Sequence, residues 1–144
     1  MNNFWLLDPT SRLKAFRQFR LDLIEISDLE QRLQFMVDWW KDLPMSTRVI
    51  DPYTPDQWPT PWEIIHENNY DENALALIYF HMLKVLDYES KLYLVEDEEK
   101  TFIKLIILVD DKHIINYSYG NVDNKETIKK CKILESWENY SILD

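Results

Sequence analysis

From Ala74 to Phe80 seven residues in a row are apolar or aromatic, Ala-Leu-Ala-Leu-Ile-Tyr-Phe. A helix that is apolar all round has no face to give to water and must be enclosed. The rest of the 144-residue chain therefore has to be arranged around this segment. The apolar pattern continues to Leu86 and predicts a buried helix over 71–87. Asp71 stands at its start, where a carboxylate can accept from the free amides two and three residues on. A chain of this length suits one domain with one core, and 46 % hydrophobic residues supply that core.

Upstream, residues 44–61 hold Pro44, Pro52, Pro55, Pro59 and Pro61. Proline fixes φ and pushes its predecessor toward extended geometry. Tyr53, Trp58 and Trp62 anchor this arm, so it reads as ordered rather than as a flexible linker. Pro61 suits the first position of a short helix over 62–66. Residues 1–9 form a short apolar lead. Leu13, Phe16, Phe19, Leu23 and Ile26 recur at spacings of three and four, which predicts a helix over 10–26. Ser27 and Glu30 match a capping box that opens a second helix to about Leu43, with Leu29, Leu33, Met36, Val37 and Trp40 inward. The two helices are expected to pair as a hairpin.

Downstream, residues 91–95, 101–109 and 113–119 read as strands, with polar turns at 96–100 and 110–112. Asp123 and Glu126 suggest a short helix start, and 132–137 a last strand. The chain reads as a single α+β domain. It comprises a helical hairpin (1–43), a Pro/Trp-rich arm (44–70), and a buried central helix on a small antiparallel sheet (71–144).

Composition excludes several functions. The formal net charge is −10, which disfavours nucleic acid and anionic membranes as partners. Gly120 is the single glycine, so glycine-rich phosphate-binding loops are ruled out. Cys131 is the single cysteine, which points to a reducing compartment. No secretory leader and no apolar run of about 20 residues is expected. His66 reads as the end of the short helix, His81 as a satisfied core histidine and His113 as an exposed turn residue. Their spacing matches no metal site, and no metal or cofactor is expected.

Two groups stand out as candidate partner-binding residues. Arg12, Lys14, Arg17 and Arg20 lie within nine positions, either as a solvated helix face or as a basic docking face. Tyr53, Trp58, Trp62 and Tyr70, with Tyr117 and Tyr119, either pack the arm and core or line a contact groove. The site expected here is the set Tyr53, Trp58, Trp62, Tyr70, Arg12, Arg17 and Arg20.

The order of arm, tyrosine, central helix and following strands resembles the core of transglutaminase-like cysteine peptidases. The segment IDPYTPDQWPTPWEIIHENNYDENALALIYFHMLKVL, followed by LIILVDDKHIINYSYGNV, looks like small uncharacterised proteins of large contractile-tailed bacteriophages. Relatives in that group carry a cysteine after the tyrosine matching Tyr70, where this chain has Asp71. The resemblance implies a thiol at the helix start, a histidine at 101–104 and an orienting polar residue near Asn116. Here the cysteine and histidine are missing, so no catalytic residue is expected. The implied protein is a non-enzymatic phage component acting through protein contacts, with a viral or host partner or a second copy of itself. Its implied location is the virion or the host cytoplasm. Two alternatives remain open. One is a cysteine hydrolase using Cys131 with His66, His81 or His113; flanking Lys129, Lys130 and Lys132 would lower the thiol pKa if it were exposed. The other is an acidic protein that binds a host factor.

Overall fold

The structure is a computed structural model describing residues 3–46 and 49–139. Among the described residues it has four α-helices and one antiparallel sheet of five strands. The helices are α1 (Pro9–Ile24), α2 (Leu29–Trp40), α3 (Pro61–Glu67) and α4 (Glu72–Val85). The strands are β1 (Ser90–Asp97), β2 (Phe102–Val109), β3 (His113–Ile115), β4 (Val122–Asn124) and β5 (Lys132–Trp137), in the order β4-β3-β2-β1-β5. The α+β class expected from the sequence is present, with the apolar segment as the enclosed helix. Ala74 to Phe80 are all buried in α4.

The core divides between the two faces of the sheet. Leu105, Ile107 and Val109 of β2 point to α4 and join a large cluster with Phe16, Phe19, Trp40 and Tyr70. Ile106 and Leu108 point the other way, into a smaller cluster with Val95, Ile114, Tyr117 and Ile128, against which Cys131 packs. This is the period-two alternation of a sheet covered on both faces. Aromatic rings tie the helices together. Phe19 stacks on Phe35 at 5.8 Å and meets Trp40 edge-on at 5.8 Å. The α1–α2 pairing is thus present, and α1 also lies against α3.

Local details correct several expectations. Asp28, not Ser27 with Glu30, caps α2 by accepting from Gln31 N, and the helix ends at Trp40. The capping box occurs instead at α3, where Thr60 and Glu63 satisfy each other's amides. β3 stops at Ile115 because Asn116 takes φ 72°, a left-handed turn that the ladder cannot accommodate. β4 replaces the helix start expected at Asp123, and Asn124 caps a single turn over Lys125–Ile128. His113 is buried on β3 rather than exposed in a turn.

Candidate functional site

The start of α4 gathers the polar groups that matter most. Asp71 is its N-cap: Oδ1 accepts from Ala74 N at 2.6 Å and Oδ2 accepts from Ile50 N at 2.8 Å. Asp71 thereby ends the arm and begins the helix with one carboxylate. Burial pushes its pKa up, while the two amide bonds pull the other way. Asn73 lies in the first turn of α4. Its Nδ2 donates to Ile50 O at 3.0 Å and its Oδ1 accepts from Leu105 N at 3.0 Å, linking arm, helix and β2. Asn116 Nδ2 donates to Glu72 O at 2.8 Å and Leu105 O at 2.9 Å. Tyr70 N donates to Ser46 Oγ at 2.9 Å, and Ser46 N returns a bond to Tyr70 O. Every one of these contacts holds backbone in place.

Lys104 of β2 shares the sheet face of Ile106 and Leu108, and its long side chain reaches the helix start. Its Nζ lies 3.5 Å from Glu72 Oε1 and 4.6 Å from the Phe102 ring centroid. Burial lowers its pKa, and Glu72 opposes that shift. Two cavities flank the helix start. One, of about 270 Å³, opens toward Lys104, Glu72 and Tyr119. The other, of about 350 Å³, is bounded by the arm and includes Asp51, Glu63 and Asp71.

Cys131 sits elsewhere, half-buried in the smaller cluster. Its Sγ is 3.8 Å from Asp97 Oδ2, which also accepts from the Tyr117 hydroxyl at 2.6 Å. Burial and then the Asp97 charge raise the thiol pKa, opposite to the lowering expected from the neighbouring lysines. Among the described residues, no group of three or more His, Cys, Asp or Glu side chains is arranged to hold a metal ion. No helix among them is long and apolar enough to cross a membrane.

No protein-family model and no curated protein sequence matches the chain. Solved structures do. Calcium-bound LapG of Legionella pneumophila superposes with a TM-score of 0.72 at 14 % identity, covering 91 % of this chain and 76 % of LapG. A second LapG structure gives 0.70 at 15 % identity, covering 90 % and 75 %. The EGTA-treated form gives 0.70 at 15 %, covering 90 % and 73 %. The fold is LapG-like. It is the transglutaminase-like arrangement expected from the order of parts, and at this identity the likeness concerns the fold alone.

Within that LapG-like fold the expected partner-binding residues do not share one surface. Trp58 is buried, with Nε1 donating to Asp51 O at 2.9 Å and its ring 5.0 Å from Trp137. Tyr70 is buried between Phe4 and Trp40, and its hydroxyl has no hydrogen-bond partner among the described residues. Arg12 is buried on the apolar stripe of α1, four residues before Phe16. It donates to the carbonyls of Ile65 at 2.9 Å, His66 at 2.7 Å and Leu7. That places its charge on the open carbonyls at the C-terminal end of α3, where a helix favours a cation. Tyr53, Trp62 and Arg17 are exposed, and Arg20 is half-exposed with its guanidinium 5.8 Å from the Trp62 ring. Trp62 also meets His81 at 5.7 Å; the buried His81 Nε2 has no hydrogen-bond partner among the described residues, so it is not the satisfied core histidine expected. Burial, then Arg20, lowers the His81 pKa.

Asn73 and Lys104 were not singled out from sequence. Their signal was there: a lone amide in the first turn of an apolar helix, and a lone charge in the strand Phe102–Val109.

Proposed function

We propose that the chain is a non-enzymatic bacteriophage protein that acts through protein–protein contacts, as a minor virion component or an assembly factor. The observation that carries this reading is the bonding of Asp71. A transglutaminase-like enzyme needs a nucleophile at the start of its central helix, where the helix dipole stabilises a thiolate. Here that place is taken by a carboxylate whose two oxygens are already bonded to Ala74 N and Ile50 N. The following strand offers Lys104 rather than the histidine of such a site, and Asn116 is engaged with two backbone carbonyls. The raised pKa of Cys131 and its packing beside Asp97 weigh against a rearranged cysteine hydrolase.

The resemblance of the arm and central helix to small proteins of contractile-tailed phages supports the viral origin. The exposed set Tyr53, Trp62, Arg17 and Arg20 is the part of the expected contact surface open to a partner. Mass spectrometry of purified particles tests the virion reading. The chain is expected at a few copies per particle. Its absence from particles, with capture of a host protein from infected cells, would move it to the host-directed alternative. Replacing Trp62 and Arg17 with Ala is expected to weaken capture of the partner while leaving the fold intact.

A further inference from the structure

The apolar lining of the cavity of about 270 Å³ beside the start of α4 is Val37, Leu43, Met45, Leu75 and the rings of Tyr79 and Tyr119; Lys41 also lines it, paired with Asp38 at 3.3 Å. One end carries Lys104, whose side chain is only 8 % exposed. An ammonium has three donors. The carboxylate near this one is Glu72 Oε1 at 3.5 Å, beyond the roughly 2.7–2.9 Å of a strong charge-assisted bond. The Glu72 side chain is 58 % exposed, so water can solvate it if it leaves the lysine. At about 30 Å³ per water the space equals roughly nine waters. It falls just below the range of about 300–1,000 Å³ usual for small-molecule sites. That volume suits one amino-acid residue better than a cofactor.

We propose that this cavity binds the C-terminal residue of a partner polypeptide, its apolar side chain against the walls and its free carboxylate on Lys104. The proposal rests on reading the chain as a contact protein. A terminal apolar residue carries a carboxylate and a large apolar group on the same Cα, which matches a cavity that sets the buried Lys104 beside apolar walls, its other lysine, Lys41, being paired with Asp38. An internal Asp or Glu would leave most of the wall uncovered. The N-terminal end of α4 adds positive partial charge on the same side. Glu72 acts as an internal competitor: it holds the lysine until a better-placed carboxylate arrives, then turns to solvent. Tyr119 hydrogen-bonds the Lys41 carbonyl, and Gln34 Nε2 donates to Gly120 O at 3.2 Å. These bonds pin the 116–120 loop beside the opening.

The test is an amide NMR titration of the full chain with N-acetyl-phenylalanine and, separately, its C-terminal amide. The acid is expected to shift the signals of Glu72, Lys104, Asn116 and Gly120, and to bind about tenfold more tightly than the amide form. Lys104→Met should erase that preference and Lys104→Arg should retain it. Glu72→Gln should tighten binding of the acid. Equal binding of acid and amide, or weaker binding of the acid to Glu72→Gln, would overturn the proposal. Partner capture that persists in Lys104→Met, with no binding of the acid to the native chain, removes the cavity site and keeps the contact reading. Binding of the acid as predicted, with no partner captured, keeps the site and removes the contact reading.

Discussion

Asp71 and Glu72 are adjacent carboxylates at the start of one helix, yet they do opposite work. Asp71 is 8 % exposed and both its oxygens accept backbone amides, one from its own helix and one from the arm. Glu72 is largely exposed and its charged partner is Lys104, at 3.5 Å. One is a lock on the backbone; the other is a partner that can be exchanged. In a transglutaminase-like fold this helix start is the place for chemistry. Here one carboxylate is bonded to backbone on both oxygens, and on the reading proposed above the other is free for recognition.

The largest effect should come from breaking the lock. Asp71→Ala removes a helix cap and orphans the Ile50 amide, which should cost about 2–3 kcal/mol. Asp71→Asn keeps one acceptor oxygen and turns an NH2 toward the other amide, so it should recover no more than about half of that. Urea unfolding measures both; equal stability of Asp71→Ala and the native chain would break the comparison.

Arg12 extends the same logic to a cation. Arg12→Ala leaves the carbonyls of Ile65, His66 and Leu7 without their donor and should cost about 2 kcal/mol. The exposed Arg17→Ala should stay within about 0.5 kcal/mol of the native chain. Similar losses for the two would mean that Arg12 is not a clamp.

Lys104→Met sharpens the other side. The variant removes a buried amine whose partner can return to water, and buries a side chain of similar length. Stability should change by less than about 1 kcal/mol, in either direction. A loss as large as that of Asp71→Ala would make Lys104 a lock as well.

These contrasts explain what could be read from the residues. The enclosed helix and the α+β class were legible because apolar runs and turn residues report burial directly. The start of α4 was legible too, since Asp71 precedes an apolar run. The roles of Arg12, Trp58 and Tyr70 were not. Arg and Trp are equally at home in a contact surface and in a buried clamp, and only tertiary packing decides: α3 against α1 for Arg12, Trp137 over Trp58, and Phe4 and Trp40 around Tyr70. The strand expected to run to 119 ends at Ile115: Asn tolerates the left-handed region, but the apolar and aromatic residues around Asn116 mask that signal. Lys104 and Glu72 lie 32 positions apart, so their pairing exists only once β2 is set beside α4.

A smaller effect tests the cluster that holds the thiol. The Tyr117 hydroxyl bond, with the Lys100 amide, keeps the Asp97 pKa below the ordinary value. A lowered folded-state pKa stabilises the fold above the unfolded value of about 4 and is lost as pH falls through the folded one. Tyr117→Phe should lower the melting temperature at neutral pH, and that difference should shrink below about pH 4. A difference that stays constant down to pH 2 would mean that the bond does not stabilise the Asp97 anion.

The central claim is that the chain keeps a LapG-like fold without the reactive chemistry of a cysteine enzyme. The alkylation rate of Cys131 by iodoacetamide at pH 7.5, compared with a free-cysteine peptide, tests it most directly. Burial and the Asp97 charge predict a rate below that of the peptide, rising when Asp97→Asn removes the anion. A rate well above that of the peptide, abolished by replacing His66, His81 or His113, would contradict it.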